Sequence, residues 1–248
     1  MGNESGGGTA GDGSVSVERR GAIALITLDR PRKRNALSTH LERELQRAIS
    51  SEEVTGSRAV VITGEGGCFS AGADITELRE MTPRAIADYY RSSGGVYEVV
   101  AALPQPVVAA ITGYCLGGGL ELALAADVRI ADDEAVFGFP EIGIGILPSS
   151  GGVTRITRCV GTGRAADLVL RGRRFGAVEA ERWGVVSEVA ERGQALSRAL
   201  DVAAEFAERD ALALEHTKRV LEMSQEASLA GSLLLERLAY ATLNRTEA

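Results

Sequence analysis

Hydrophobic residues form short unbroken runs in the first half of the chain and recur at helical spacing in the second half. Short runs predict strands, and helical spacing predicts helices. Strands are predicted over Val15–Arg19, Ala22–Leu28, Ala59–Thr63, Val107–Ile111, Asp127–Ala131 and Val185–Val189, and a turn over Gly113–Gly119. Helices are predicted over Thr39–Ile49 with Ser38 as N-cap, Pro83–Ala102 with a break at Gly94–Gly95, Leu120–Ala125, Gly151–Val160, Ala165–Arg171, Ala177–Trp183, Gln194–Glu208, Ala211–Met223 and Ser228–Leu243.

The order of these elements predicts an α/β core followed by a helical C-terminal region. Strands alternate with helices in the first part of the chain, and only helices are predicted after the last strand. The run Ala59–Thr63 is apolar, as expected for a strand buried on both faces of a sheet. We predict a disordered tail over residues 1–14, the α/β core over 15–190 and the helical region over 191–248. Leu234 and Leu238 are apolar positions of the last helix, which we predict packs against another subunit.

The composition argues against several classes of function. Charged residues make up 25% and apolar residues 45% of the 248 residues, as in an ordinary soluble globular protein. We see no apolar run of membrane-spanning length and no leader sequence, so we predict a cytoplasmic protein without a membrane partner. The net charge of −7 argues against a nucleic-acid partner. The three cysteines form no CxxC pair, which argues against a zinc site or a disulfide framework.

Two loops contain candidate binding residues. The basic loop, Arg30–Arg34, holds the only dense run of cations in the sequence. It is either a solvated loop or an electrostatic clamp for a small phosphorylated ligand. For an acidic protein with a single basic loop, such a ligand is a better fit than a nucleic-acid duplex. The glycine loop, Gly64–Ile75, contains mainly small residues, which allow backbone N–H groups to approach a ligand. A plain glycine turn explains its spacing equally well.

Two acids stand alone among apolar residues in the central part of the chain. Glu121 lies on the predicted helix after Gly117–Gly119, and the residues one helical turn away from it are uncharged. Glu141 lies 20 positions later, after Pro140 and among phenylalanine and isoleucine residues. Burial raises the pKa of an unpaired carboxyl group and makes it a usable acid or base near neutral pH. We therefore predict that both acids face one cleft.

The glycines before Glu121 suggest a second kind of chemistry. Gly117–Gly119 exposes unpaired N–H groups at the positive end of a helix dipole, where a negatively charged oxygen is stabilised. Paired acid and base groups beside an oxyanion site are therefore the favoured hypothesis. The alternatives are structural. Glu121 could point outward or pair with a distant arginine, Glu141 could be a surface acid, and the glycines could form only a tight turn.

The sequence lacks the residues and motifs that several other active-site chemistries require. The two histidines, His40 and His216, lie on separate predicted helices, so neither a Ser-His-Asp arrangement nor a histidine metal site has support. Ser149 and Ser150 do not form a GxSxG motif. No P-loop motif and no GxGxxG motif stands at a predicted strand–helix junction, which disfavours nucleotide hydrolysis and nicotinamide binding.

In four segments, taken in order and with matching spacing, the chain resembles the crotonase superfamily, the enoyl-CoA hydratase/isomerase family. The segments are Leu28–Leu37, Phe69–Ile75, Gly113–Ala123 and Phe137–Glu141. The resemblance extends from about Val15 to the C-terminus. It implies an α/β fold, a crotonase-like spiral of ββα units, with a C-terminal helical trimerisation region that gives a homotrimer or a dimer of trimers.

The resemblance also implies the parts of an acyl-CoA site. The N–H groups of Ala73 and Gly118 would form the oxyanion hole for the thioester oxygen of the substrate. Residues of the two loops and just beyond them would bind coenzyme A: Arg34 at its phosphates, with Ala36, Ala71, Asp74 and Ile75 along the rest of the site. Coenzyme A is part of the substrate, and no metal or redox cofactor is implied.

In relatives that hydrate 2-enoyl-CoA, acids stand at the positions of both Glu121 and Glu141. The resemblance implies that Glu121 acts as base on the water added at C3 and that Glu141 delivers the proton at C2, which gives 3-hydroxyacyl-CoA. An enoyl-CoA isomerase or another acyl-CoA lyase of the superfamily is the alternative. A non-catalytic or RNA-binding relative is the alternative from a different class, and the acidic charge disfavours it. One departure from the hydratases is Ser149, which follows Pro148 where they usually have Gly.

Overall fold

A computed structural model describes residues 13–244. The strands in this range are β1 (Ser14–Arg20), β2 (Ile23–Asp29), β3 (Ala59–Gly64), β4 (Val107–Ile111), β5 (Tyr114–Leu116), β6 (Val128–Asp132), β7 (Val136–Gly138), β8 (Arg174–Gly176) and β9 (Glu188–Ala190). The α-helices are α1 (Thr39–Ile49), α2 (Glu52–Thr55), α3 (Ile75–Glu80), α4 (Pro83–Tyr90), α5 (Val96–Ala101), α6 (Gly118–Ala125), α7 (Gly152–Val160), α8 (Thr162–Leu170), α9 (Ala177–Arg182), α10 (Ala195–Ala207), α11 (Ala211–Ser224) and α12 (Leu229–Leu243). Short 3-10 helices lie at Pro31–Lys33, Ser93–Gly95 and Pro140–Ile144.

The larger sheet has the strand order β1-β2-β3-β4-β6-β9. Its first pair is an antiparallel hairpin, and the other neighbouring pairs are parallel. The carboxyl ends of parallel strands meet at one edge of a sheet, which is where ligand sites form in α/β folds. The basic loop follows β2, the glycine loop begins at the end of β3, and β5 and α6 follow β4. The topology therefore brings the three segments with candidate chemistry to the same edge.

Helices cover both faces of this sheet. On one face, α1 buries Leu41 and Leu45 in the main hydrophobic core, together with the apolar residues of α6. On the other face, α10 packs Ala199 and Ala203 against strand residues such as Val61. The first of the C-terminal helices therefore covers the sheet of the α/β core, while the division at residue 190 stays a prediction.

Several elements confirm the pattern analysis. The hairpin of β1 and β2 forms as predicted. The bounds of α1 match, and the Ser38 hydroxyl caps this helix by accepting a hydrogen bond from the Leu41 N–H at 3.2 Å. The helix predicted over Pro83–Ala102 divides into α4 and α5, with a 3-10 turn at the predicted glycines. Strong periodicity and clear capping residues explain these successes.

Other elements differ from the prediction. The segment Gly113–Gly119, predicted as a turn, contains β5 and the start of α6. A three-residue strand has no periodicity of its own, and β5 exists because it pairs with β7, which in turn pairs with β8 in a second, three-stranded sheet. The last strand is Glu188–Ala190 rather than Val185–Val189, because the Val185 N–H still donates to the Ala180 carbonyl at the end of α9, at 2.8 Å.

Two predictions concern the ends of the chain and its relation to membranes. A disordered tail is predicted over residues 1–14, and residues 1–12 of it lie outside the described residues. Ser14 is not part of a tail, because it is the first residue of β1 and pairs with Asp29. Between residues 13 and 244, no helix is both long enough and apolar enough to cross a membrane.

Candidate active site

Asn35 joins the basic loop to the glycine loop. Its side chain is fully buried, and it has a φ of 53°, in the left-handed region that asparagine tolerates better than most residues. The side-chain oxygen accepts from the Arg30 N–H at 2.8 Å, and the amide nitrogen donates to the Cys68 carbonyl at 2.6 Å. The amide of Asn35 is therefore the internal brace that sets the two loops side by side.

The N–H groups of Ala73 and Gly118 lie close together at this edge of the sheet. A Cβ built on Gly118 would lie 3.4 Å from the Ala73 nitrogen. Gly118 is the first residue of α6, where the helix supplies no acceptor for its N–H. Within residues 13–244, neither N–H donates a hydrogen bond to another protein group. Two unpaired donors side by side are the arrangement that a developing oxyanion requires.

A parallel bridge between Leu37 and Ala73 fixes the first of these donors. The Leu37 N–H donates to the Gly72 carbonyl at 2.8 Å, and the Asp74 N–H donates to the Leu37 carbonyl at 2.9 Å. These bonds use the Gly72 carbonyl and the Asp74 N–H and leave the Ala73 N–H between them unpaired. The site thus depends on backbone pairing between segments that are far apart in the sequence.

Glu121 is held by two backbone donors. The residue is 4% exposed, and its Oε1 accepts from the Ser150 N–H at 2.7 Å and from the Gly152 N–H at 2.8 Å. Burial raises the pKa of Glu121, while these two hydrogen bonds and the charge of Arg155 act in the opposite direction. The acid predicted from its isolation therefore points inward, and its orientation is fixed by the loop that begins α7.

Glu141 approaches the same glycines from another segment. Its Oε1 lies 2.6 Å from the position that a Cβ on Gly117 would occupy, and its Oε2 is buried without a hydrogen-bond partner among the described residues. Burial raises the pKa of Glu141 to about 7, its own backbone N–H lowers it, and the charge of Glu121 raises it. A carboxyl group with one unpartnered oxygen and a pKa near 7 is suited to donate a proton.

The residues expected to bind coenzyme A meet where the two loops join. The exposed Arg34 guanidinium lies 5.2 Å from the centroid of the Tyr114 ring. The backbone carbonyl of Arg34 accepts from the Ala71 N–H at 2.9 Å. Ala36 is half-buried, and its carbonyl accepts from the Arg30 guanidinium at 3.0 Å. These contacts group the residues at one surface, and their role in binding coenzyme A stays a prediction.

Asp74 and Ile75 complete that group. Asp74 accepts from the Arg30 guanidinium at 2.8 Å and caps α3 by accepting from the Thr76 N–H at 3.1 Å. Burial acts to raise the pKa of Asp74, but the hydrogen bonds from Arg30 and Thr76 outweigh it and hold the pKa below its usual value. Ile75 presents an apolar side chain that is 45% exposed. Asp74 thus fixes the end of the glycine loop, and Ile75 offers contact surface beside it.

Pattern analysis did not single out three buried polar residues near this site. Asn35 was visible only as part of a motif, and its bracing role depends on the distant Cys68 carbonyl. Glu42 lies on the buried side of α1, and Tyr97 is buried on α5. The one signal in the sequence was Glu42 itself, an acid next to Leu41 on the apolar side of the predicted helix.

Metal ligands do not cluster in the described part of the chain. No group of three His, Cys, Asp or Glu side chains within residues 13–244 is arranged to hold a metal ion. The expectation of a reaction without a cofactor stays a prediction.

Comparison with known proteins shows the family to which the chain is similar. A family model described as enoyl-CoA hydratase/isomerase matches residues 18–247. A probable enoyl-CoA hydratase of Mycobacterium bovis is 39% identical over 94% of this chain and 91% of its own length. The 2,3-dehydroadipyl-CoA hydratase of Escherichia coli is 38% identical, over 93% of this chain and 89% of its own.

Solved structures show the same fold. A crystal structure of enoyl-CoA hydratase from Bacillus anthracis superposes with a TM-score of 0.89 at 35% identity, covering 94% of this chain and 92% of that one. An enoyl-CoA hydratase from Polaromonas gives a TM-score of 0.90 at 30% identity, covering 94% and 93%. The sheet order and the terminal helices described above are therefore those of the crotonase fold. Sequence and structure together place the chain in the enoyl-CoA hydratase/isomerase family of the crotonase superfamily.

Proposed function

We propose that this protein is an enoyl-CoA hydratase, which adds water across the double bond of a 2-enoyl-CoA to give a 3-hydroxyacyl-CoA. The observation that supports this reaction best is the position of two acids, the buried Glu121 and the half-buried Glu141, around one pair of unpaired N–H groups. Glu141 lies against Gly117, and the Ala73 nitrogen lies against the next residue, Gly118. Glu121 follows one turn later on the same helix. Both a base and an acid are needed to hydrate an activated double bond.

The two N–H groups account for the activation. When water adds to C3 of the enoyl thioester, negative charge develops on the thioester oxygen as an enolate. The N–H groups of Ala73 and Gly118 stabilise this charge more strongly than they stabilise the ground-state carbonyl oxygen. Because the glycine loop fixes the Ala73 N–H and the start of α6 fixes the Gly118 N–H in advance, little reorganisation is needed during the reaction.

The two acids divide the proton transfers. Ionised Glu121, oriented by its two backbone donors, takes a proton from water as the water oxygen bonds to C3. Protonated Glu141 gives its proton to C2 as the enolate collapses to the thioester. At the end of the reaction Glu121 is protonated and Glu141 is ionised. Glu121 then releases a proton to solvent and Glu141 takes one up, which restores the starting state. In this scheme no metal or redox cofactor takes part.

The basic loop suits the phosphate groups of coenzyme A. Arg34 is exposed next to Ala71, at the entrance between the two loops. A guanidinium group binds phosphate through several N–H donors, which suits it to this position. In this proposal the loop steers an anionic substrate towards a protein whose net charge is itself −7.

We also propose that the C-terminal helices assemble a homotrimer or a dimer of trimers. Leu229, Leu234 and Leu238 on α12 are 77%, 56% and 56% exposed, and Tyr240 is 70% exposed. An apolar surface of this kind favours contact with another chain. Light scattering of the purified protein would give the mass of the assembly, and a monomer at micromolar concentration would contradict this proposal.

The direct test follows the absorbance of the conjugated enoyl thioester. Purified protein is incubated with crotonyl-CoA, and also with medium-chain and aromatic 2-enoyl-CoA esters. Loss of absorbance together with formation of the 3-hydroxyacyl-CoA is the expected result. Conversion of a 3-enoyl-CoA to its 2-enoyl isomer without hydration would identify an isomerase instead. Absence of both reactions with all these esters would contradict catalytic function.

A further inference from the structure

A buried cluster of one acid and two tyrosines lies next to the oxyanion hole. Glu42 on α1 and Tyr97 on α5 are each 1% exposed. The Tyr97 hydroxyl donates to Glu42 Oε1 at 2.8 Å, and the hydroxyl of the half-buried Tyr89 on α4 donates to the same oxygen at 2.7 Å. Glu42 Oε2 is buried with no hydrogen-bond partner among the described residues. The reaction described above uses none of these three side chains.

Tyr97 connects the cluster to the oxyanion hole. A Cβ built on Gly118 would lie 3.2 Å from the Tyr97 hydroxyl and 3.5 Å from the Leu37 side chain. The hydroxyl of Tyr97 therefore packs against the residue that supplies one of the two oxyanion donors. The Ala73 nitrogen, the other donor, lies 3.4 Å from the same point.

Packing alone does not account for an acid at this position. The other buried residues of α1 are apolar: Leu41, Leu45, Ala48 and Ile49. An isolated buried carboxyl group costs free energy even when it accepts hydrogen bonds, and apolar residues of similar volume fill such a position as well or better. A polar cluster that joins α1, α4 and α5 beside Gly118 therefore indicates a role in the site.

We propose that Glu42 and Tyr97 are positioning residues for the oxyanion hole. Glu42 fixes the Tyr97 hydroxyl, and that hydroxyl holds Gly118 so that its N–H stays beside the N–H of Ala73. Tyr89 binds the same Glu42 oxygen, but the atoms nearest to a Cβ on Gly118 belong to Tyr97, Ala73 and Leu37, so we assign Tyr89 only the anchoring of α4. This inference rests on the proposed function in one respect: the oxyanion it serves is that of an acyl-CoA thioester.

The charge around Glu42 bears on this role. Burial raises its pKa to about 7, the hydroxyl groups of Tyr89 and Tyr97 lower it, and the charges of Glu77 on α3 and Glu121 on α6 raise it. Protonated Glu42 places no negative charge behind the enolate oxygen. As pH rises through 7, ionised Glu42 opposes the enolate, so the oxyanion hole becomes less effective.

The test uses acetoacetyl-CoA, whose enolate form has its own ultraviolet absorbance and whose thioester oxygen enters the oxyanion hole without turnover. The apparent pKa of the bound ligand is compared for wild type, Tyr97→Phe and the matched control Tyr89→Phe. Each variant removes one hydroxyl donor from Glu42 Oε1, but only Tyr97→Phe removes the hydroxyl that packs on Gly118. We expect Tyr97→Phe to weaken enolate binding and to lower kcat, each by roughly tenfold, with KM little changed. We expect Tyr89→Phe to stay within about twofold of wild type.

Two variants of Glu42 test the same inference while keeping Tyr97. Glu42→Gln retains an acceptor for the hydroxyl and should preserve enolate binding, whereas Glu42→Leu removes the acceptor and should reproduce the effect of Tyr97→Phe. Equal effects of Tyr97→Phe and Tyr89→Phe, or equal effects of the two Glu42 variants, would show that the cluster only supports the fold.

The two proposals fail in different ways. A wild-type protein that hydrates no enoyl-CoA, while Tyr97→Phe still weakens enolate binding, would overturn the hydratase and leave the positioning role intact. A wild-type hydratase whose enolate binding is unchanged by Tyr97→Phe would overturn the positioning role alone.

Discussion

The hydroxyl groups of Tyr90 and Ser149 are joined by a hydrogen bond, which links α4 to the loop that holds Glu121. Hydratases of the family usually have Gly where this chain has Ser149, so the contact occupies a position of departure. The Ser149 hydroxyl is engaged with α4 here, and its neighbour, Ser150, supplies one of the two donors to Glu121. The loop that orients Glu121 is therefore held both by its hydrogen bonds to Glu121 and by the contact of Ser149 with α4.

This contact predicts a coupling between the two hydroxyl groups. Tyr90→Phe and Ser149→Ala each remove the same hydrogen bond, whose net contribution is roughly 1 kcal/mol, so each variant should lower kcat/KM about fivefold. The double variant should be no worse than either single variant, because the bond can be lost only once. Steady-state kinetics of the four proteins measure the coupling. Additive effects would mean that the two side chains act separately.

The two central acids should be indispensable for turnover. Glu121→Gln and Glu141→Gln remove the base and the acid while keeping the size of the side chain, and each should lower kcat by about 10²–10⁴-fold. Acyl-CoA binding, measured by calorimetry, should change little, since Glu121 accepts from Ser150 and Gly152 and Glu141 lies against Gly117, and these three residues are outside the two loops that we expect to hold coenzyme A. Glu80→Gln, at an exposed position at the end of α3, is the matched control. Near-normal turnover in either central variant would remove that residue from the mechanism.

The rate should fall at high pH because Glu141 must carry a proton. Burial and the charge of Glu121 raise its pKa to about 7, so above that pH the protonated fraction falls tenfold per pH unit. The measurement is kcat/KM for crotonyl-CoA across the pH range in which the protein stays folded. Glu42→Gln should keep this descending limb, because Glu141 is unchanged in that variant. A rate that is flat to about pH 9 would contradict the assignment of Glu141 as the acid.

The sequence alone was sufficient to single out the acids and the glycines that the fold brings together, but not their partners. Glu121 and Glu141 stand out because nothing near them in sequence is charged, which is a local property. Ala73 lies far from Gly118 in the sequence, and its place beside that residue depends on the bridge to Leu37, which no local pattern contains. The resemblance to a family supplied that pairing in advance.

The Glu42 cluster shows a different limit. Helical periodicity assigns Leu41 and Leu45 correctly to the core. It places Glu42 at the edge of the apolar face, where an acid is expected to reach solvent, and not in the core. The partner hydroxyl of Tyr97 lies 55 positions away, on α5, the second part of the interrupted helix. Burial of a polar side chain depends on such distant partners, so it became visible only in three dimensions.

Gly117 should not tolerate a side chain. It has a φ of 50°, and a Cβ would lie 2.6 Å from Glu141 Oε1. Gly117→Ala should therefore lose about 1–3 kcal/mol of unfolding free energy from backbone strain and at least tenfold in kcat from displacement of the acid. Gly143→Ala is the matched control, because a Cβ at Gly143 meets nothing within 4 Å. Urea unfolding and steady-state kinetics measure both effects, and an active, stable Gly117→Ala protein would contradict the geometry around Glu141.

The stability of the fold should also record the proton on Glu42. Its pKa is raised from 4.5 to about 7 by burial, so the folded protein binds this proton more tightly than the unfolded chain does. The stabilisation is therefore fully present below pH 4.5 and is lost as pH rises through 7, by roughly 3 kcal/mol in total. Glu42→Gln cannot titrate, so the difference in unfolding free energy between wild type and this variant should change by about that amount over the same range. Urea unfolding at several pH values measures the difference. Parallel pH dependence in the two proteins would show that Glu42 has the same pKa in the folded and unfolded states.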